Sequence, residues 1–425
     1  MEDLFSKDIK SIKQSLSEMN TEFNDTLILN PVENIPIGDI LEPCSSFLHG
    51  LYNTDTLRNL EEKYKSKIQF SGRNRINKDV NMIYDMWGKL LGAKKVSMRL
   101  LSGLHAHTVL FMSVSQIGDK VMVLPEKAGG HVSGKAILER LGLNVKEIPY
   151  DVANKHIDKQ KCLDIIDTFK PQFLFIDRSE GLIYEDLTWL GNHCSCYKIF
   201  DASQYLTNII CREYKNPFDM GFDLILSTMH KNLPGPQRAF ICTNRNDEYW
   251  HKIKLGISTY VSNMHAFSIY SAGLLLEYFD ELKQISKRML INAALLDQEL
   301  IIHNVPIIQR YGFNNEKITH HCWIKPPTQE MAFKLFLELE QLGILTNYRL
   351  LPYDLGYGLR LGLSGATVSG LKTEDIPYLA DIISQAYNQG YSDSLKTQTI
   401  EFVRNIKQSF LYNLNQGVDQ RKYLK

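Results

Sequence analysis

A large α/β domain with a mainly parallel sheet, followed by a smaller C-terminal α+β domain, is the fold class that this sequence predicts. Two observations carry it. Between residues 80 and 245, short apolar runs alternate with helical segments, and after 245 that rhythm stops. QFLFID (172–177), YKIFDA (197–202) and DLILST (223–228) each carry an apolar run without period-2 alternation, as strands buried on both faces do.

The elements follow in order. Residues 1–25 are polar and periodic, which suits an N-terminal helix or arm. Residues 26–80 read as irregular, broken by Pro31, Pro36 and Pro43. NMIYDMWGKLLGA (81–93) is a helix ending at Gly92, and KKVSMRL (94–100) a strand. HAHTVLFMSVS (105–115) is helical, KVMVLP (120–125) a strand, SGKAILERLG (133–142) a helix and AFICT (239–243) a further strand. Residues 264–303 form long helices. KITHHCWIK (317–325) and GLRLGLSG (358–365) are strands, MAFKLFLELEQLG (331–343) is an amphipathic helix, and 374–389 the final one. We expect an N-terminal segment over 1–60, a large domain over 61–290 and a small domain over 291–425.

Lys plus Arg number 48 and Asp plus Glu also 48, so no net charge draws the chain to nucleic acid or an anionic membrane. No apolar run approaches the ~20 residues that span a bilayer, and MEDLFSKDIKSIKQ lacks a signal peptide's apolar stretch. We therefore expect neither a membrane nor a nucleic-acid partner, and a cytoplasmic location. The seven cysteines contain no CxxC pair, so neither a disulfide framework nor a metal site is expected. Cys194 and Cys196 read as small core residues.

Ligands of an open parallel sheet sit beyond the carboxyl ends of its strands. Four features fall there. SGLHAH (102–107) opens a helix, and a helix N-terminus binds anions. Asp201 ends one strand, Lys231 follows another, and His131 follows Gly129 and Gly130. Singly, these are a helix cap, a capping carboxylate, a solvated lysine and a loop histidine. Together they are the set that pyridoxal phosphate requires: amides for its phosphate, a carboxylate for its ring nitrogen, a lysine to form the imine and a flat ring to cover it. Between a strand and the Pro/Gly-rich loop of STMHKNLPGPQ, Lys231 is shielded from bulk water, with Thr228 and His230 as partners.

Over residues 27 to 390 the sequence resembles the serine hydroxymethyltransferase family. LILNPVENIP resembles its Ser-Glu-Asn segment, with Glu33 on the glutamate. LLGAKKVSMRLLSGLHAH matches its stretch from Phe-Gly-Ala to Ser-Gly-Ser-Gln-Ala-Asn, which places Ser102, Gly103, Leu104 and His105 around the phosphate. GDKVMVLPEKAGGHVSG puts His131 on the ring-stacking histidine, and RSEGLIYED puts Ser179 on a cofactor-binding serine. FDAS carries Asp201, and STMHKNLPGP matches Thr-Thr-His-Lys-Thr-Leu-Arg-Gly-Pro. GLRLGLSGATVSG places Arg360 on the arginine that binds the substrate carboxylate, a role its guanidinium fork suits. An ungapped count puts Glu62 on the family's proton-handling glutamate, with Glu61 the alternative.

The resemblance implies the aminotransferase-like fold with its seven-stranded-type sheet, a homodimer, and aldol-type chemistry at Cα of a small amino acid. It implies Lys231, Glu62 and His230 as catalytic groups. The departures are local. Leu104 replaces a phosphate-binding serine, Gln204 a cofactor-contacting histidine, Leu60 a tyrosine, and Pro234 and Gln237 two arginines. Glu126 and Gln69 replace a leucine and a tyrosine of the pterin slot, and a carboxylate there disfavours a stacked pterin. We expect a folate-independent aldolase or transaldolase taking an amino acid and an aldehyde. Aminotransfer, racemisation, β/γ-elimination or replacement, folate-dependent hydroxymethyl transfer, and cofactor binding without turnover remain alternatives.

Overall fold

The computed structural model describes residues 5–54, 60–66, 68–193, 195–310 and 317–417. Seven strands form the main sheet: β1 (Lys95–Leu100), β2 (Lys120–Val123), β3 (Asn144–Glu147), β4 (Phe173–Ile176), β5 (Tyr197–Asp201), β6 (Leu224–Thr228) and β7 (Ala239–Thr243). Their order is β1-β7-β6-β5-β4-β2-β3. β7 is antiparallel to β6 and β1, and the other pairs are parallel, so the sheet is mainly parallel as expected. Every residue of β4 to β7 is buried, which apolar runs without alternation predict. β3 was not expected. Its sequence, NVKE, is polar because it forms the exposed edge of the sheet.

Helices α1 (Ser6–Glu22), α2 (Asn74–Leu91), α3 (Gly103–Val114), α4 (Val132–Arg140), α5 (Lys159–Phe169) and α6 (Glu248–Tyr260) follow in chain order. Residues 26–80 are less irregular than expected. A short helix spans Leu60–Lys65, and α2 starts at Asn74 rather than 81. The reason is a longer stripe than the sequence reading used: Ile76, Val80, Ile83, Trp87 and Leu91 are all buried. Trp87 Nε1 donates to the Ala272 carbonyl at 2.9 Å. Gly92 ends the helix as expected, at φ 72°, a conformation that costs glycine nothing.

Beyond the main sheet come α7 (Ala266–Leu274), α8 (Phe279–Ile302), α9 (Gln329–Leu342), α10 (Ile376–Gln389) and α11 (Asp393–Gly417), with a small antiparallel sheet of β8 (His321–Ile324), β9 (Asn347–Leu351) and β10 (Gly356–Gly362), order β8-β10-β9. α10 is not the final helix. α11 follows it and buries Leu395, Phe402, Val403 and Ile406 against the second core. That core also takes in Leu27 and Leu29, because Leu27–Ile28 pair in parallel with Ile344–Leu345. The chain thus enters through the C-terminal half and runs on toward the ends of the main strands.

Two cysteine readings need comment. Cys196 is buried in the main core, as expected, but is also disulfide-bonded, which was not expected; Cys194 lies outside the described residues. No described helix is long and apolar enough to cross a membrane.

A fully buried ion pair joins Arg310 Nε to Asp297 Oδ2 at 2.5 Å, both side chains 1% exposed. Arg310 also donates to the carbonyls of Thr319 and Ala293, each at 2.7 Å. Removing one partner strands a buried charge. Asp297→Ala is therefore expected to cost about 3–5 kcal/mol, read as a clear fall in the denaturant midpoint. An unchanged midpoint would show that the pair contributes nothing.

Candidate active site

The site grows from the ends of adjacent strands. β4 is followed by Asp177, and β5 ends on Asp201. Parallel pairing of the two strands brings both carboxylates to the same edge. α3 lies over that edge and inserts His107. Its Nε2 is 2.7 Å from Asp201 Oδ2, and its Nδ1 is 3.8 Å from Asp177 Oδ2. All three residues are buried, and their ligand-type atoms lie within 4.8 Å of one another.

The electrostatics follow from that crowding. Burial pushes Asp201 up, but the His107 hydrogen bond and charge, with the Ser203 N–H on Oδ1, outweigh it and hold Asp201 below the usual range. Burial pushes Asp177 up to about 7; His107 pulls it back only partly, and Asp201 opposes it. Burial lowers His107, yet the two carboxylates carry it above its ordinary value. One carboxylate is kept ionised and its neighbour is made easy to protonate, the usual result of like charges sharing a site.

Lys231 stands in the loop after β6. Its Nζ makes no hydrogen bond or ion pair among the described residues, although its charge acts on Asp201, Asp177, His107, His131 and His230. The loop is held from the N-terminal segment: Asn34 Nδ2 donates to the Lys231 carbonyl at 2.7 Å. A cavity of about 230 Å³ opens in front of the lysine. It is lined by Ser102, Gly103 and Leu104 at the start of α3, and by His131, Ser179, Gln204, Thr228, His230 and the Asp-His-Asp group. Gly129 and Gly130 place His131. A Cβ on Gly129 would lie 1.9 Å from the Glu180 carbonyl oxygen, and one on Gly130 2.1 Å from that of Leu124. His131 N–H then donates to the Asp177 carbonyl at 3.1 Å. Burial, then the charges of His107 and Lys231, lowers His131 to about 4, so its ring is neutral at pH 7. His230 is also lowered to about 4, by burial and then Lys231.

Four expected site residues do not line this cavity. His105 is half-buried and accepts the Leu101 N–H on Nδ1 at 3.1 Å. Glu33 is exposed and accepts from Asn30 at 2.8 Å. Glu62 lines a separate cavity of about 720 Å³ with Tyr84, Arg99 and Trp250. Arg360 is adjacent rather than lining: Nη1 donates to the Ser179 carbonyl at 3.3 Å, and Nε donates to Asn347 Oδ1 at 3.1 Å. It is buried, not the surface arginine that a strand position alone suggests.

Sequence reasoning missed His107, Asp177, Ser203 and Glu180. Asp177 had a visible signal, a charge closing the apolar run QFLFID. Glu180 neighbours Ser179 but is called out by no motif, and His107 is one of two histidines in GLHAH.

The residues present fit pyridoxal phosphate. Buried polar atoms without hydrogen-bond partners converge on the cavity: Thr228 Oγ1, Gln204 Nε2, His230 Nδ1, His107 Nδ1 and Asp177 Oδ2. Buried polar atoms are normally satisfied, so such a cluster marks a binding site. Ser102, Thr228 and the first amides of α3 suit a phosphate. Asp201 suits a protonated ring nitrogen, and Lys231 a carbonyl carbon.

The Asp177 shift has a stability consequence. Below about pH 4 its proton is bound in both folded and unfolded chains. Between about 4 and 7 the folded protein keeps a proton that the unfolded chain has lost, so stability falls as pH rises. Cofactor-free Asp177→Asn should match wild type near pH 4 and exceed it by ~1–4 kcal/mol at pH 8. Parallel unfolding curves at both pH values would refute the assignment.

A sequence model of the family "Serine hydroxymethyltransferase" matches residues 8–383. Serine hydroxymethyltransferase of Sulfolobus acidocaldarius is 25% identical over 388 residues, 88% of each chain. That of Staphylothermus marinus is 25% identical over 391 residues, again 88% of each. Among solved structures, L-threonine transaldolase from Pseudomonas fluorescens superposes with a TM-score of 0.87 over 98% of both chains, at 19% identity, and so shares the fold. With a family match over most of its length, the chain belongs to the serine hydroxymethyltransferase family.

Proposed function

We propose that this pyridoxal-phosphate enzyme catalyses folate-independent aldol-type chemistry at Cα of a small neutral amino acid, taking or releasing an aldehyde. The observation that carries the reading is the convergence of Lys231, Asp201 and His131 on one cavity beside a buried arginine.

When bound, pyridoxal phosphate supplies an electron sink for the pair released at Cα. The chain's own groups do the rest. Ser102, Thr228 and the α3 amides would hold the phosphate. Asp201, kept ionised by His107, would hold a proton on the ring nitrogen. Neutral His131 would cover the ring without adding charge. Arg360 fixes the substrate carboxylate by a charge-assisted bond, worth about 1.5–3 kcal/mol. Lys231 would attach the cofactor and carry protons at Cα, and His230, neutral at pH 7, would accept or return one. Glu62 serves as a proton carrier if a second subunit brings it to this cavity, and we take the enzyme to be a cytoplasmic homodimer.

Independence from folate is supported by Glu126. Its carboxylate is half-exposed, and its Oε1 lies 3.3 Å from Arg349 Nη2. A hydrated ion pair in the wall disfavours a stacked apolar ring. Gln69, the other substituted position, is exposed.

Two results are expected. Borohydride treatment of the loaded protein, followed by peptide mapping, should place the cofactor label on Lys231; a label on another lysine overturns the assignment. Incubation with serine and tetrahydrofolate should yield methylene adduct more slowly than threonine or allo-threonine is cleaved to an aldehyde. Faster adduct formation means that Glu126 leaves the pterin slot usable.

A further inference from the structure

Arg360, the proposed carboxylate anchor, already faces a carboxylate. Glu180 is 1% exposed, and its Oε1 lies 3.6 Å from Arg360 Nη1. The same oxygen is ion-paired with Arg349 Nη1, whose other nitrogen reaches Glu126 at 3.3 Å. Charges therefore alternate along Glu126, Arg349, Glu180 and Arg360. Glu180 Oε2 is buried and makes no hydrogen bond. Arg360 does not need Glu180 to hold its position, since Asn347 and the Ser179 carbonyl accept from it. Among the described residues, its Nη2 makes no hydrogen bond.

We infer that Glu180 is a specificity-determining residue: it competes with the substrate carboxylate for Arg360, and Arg349 draws it aside when substrate binds. This rests on the reading of Arg360 as the anchor. The argument is one of sign. A carboxylate arriving at Arg360 meets an existing negative charge in a buried site, where screening is weak. Each arginine that pulls on Glu180 lowers that repulsion. The arrangement weakens binding of every amino acid, and penalises most a side chain that brings a second negative charge. It therefore selects small neutral amino acids over acidic ones. Burial carries the Glu180 carboxyl above its ordinary value, and the two guanidiniums pull it back only in part.

The test is calorimetric titration of glycine into the cofactor-loaded protein, with no turnover needed. Glu180→Gln keeps the shape and removes the charge, and should tighten glycine binding roughly tenfold. Arg349→Met leaves Glu180 to Arg360 alone, and should weaken binding by a similar factor. In the Glu180→Gln background, Arg349→Met should have almost no effect, because the charge it controls is gone. Glycine binding weakened by Glu180→Gln, or an Arg349→Met effect of equal size in both backgrounds, overturns the inference. Should Glu180→Gln fail to fold, the single Arg349→Met variant decides by its sign. Arg360→Ala separates the two levels. Unchanged glycine binding in that variant removes the anchor and the inference with it. Weakened binding there, together with weakened binding in Glu180→Gln, removes the inference alone.

Discussion

Asp177 and Asp201 end neighbouring parallel strands with both carboxylates out of water, and His107 is the group that makes this tolerable. Two unscreened charges at such a separation repel strongly, and a buried charge is retained only when it is paired. The imidazole bonds one carboxylate at 2.7 Å and faces the other at 3.8 Å. Asp201 stays ionised as a result, and an ionised Asp201 is what a cofactor ring nitrogen requires. The position of α3 serves two ends at once. Its first turn presents amides and Ser102 to the cavity, while His107, one turn further in, neutralises the floor.

Around that floor the fold converts distant sequence into one surface. The strand at Leu27–Ile28 is sewn into the C-terminal core, and the residues just after it support the Lys231 loop through Asn34. Arg360 comes from the central strand of the small sheet and meets Ser179, which follows β4 of the main sheet. Two cores thus share one site, and the charged chain from Glu126 to Arg360 runs along their junction.

Much of this was legible in the sequence, for identifiable reasons. Strands buried on both faces leave unbroken apolar runs, so β4, β5, β6 and β7 stood out. Residues set directly at strand ends, Asp201 and Lys231, followed from the sheet rule. What escaped did so for physical reasons too. β3 is an exposed edge and looks polar. α11 shows its apolar face only against a core assembled from both ends of the chain. His107 and Glu180 act through partners 94 and 169–180 residues away, such as Asp201, Arg349 and Arg360, and no local pattern encodes such pairings. Glu62 was placed by counting, and a single chain does not carry it to the lysine.

The central claim is that the cavity before Lys231 performs amino-acid chemistry with pyridoxal phosphate. Its most direct measurement is the visible absorbance of the loaded protein, titrated with each of the twenty amino acids, with products identified by mass spectrometry. The account predicts a cofactor band that shifts on adding small neutral amino acids, with an aldehyde released from β-hydroxy ones. A protein with no cofactor band, or one whose band no amino acid moves, would contradict it.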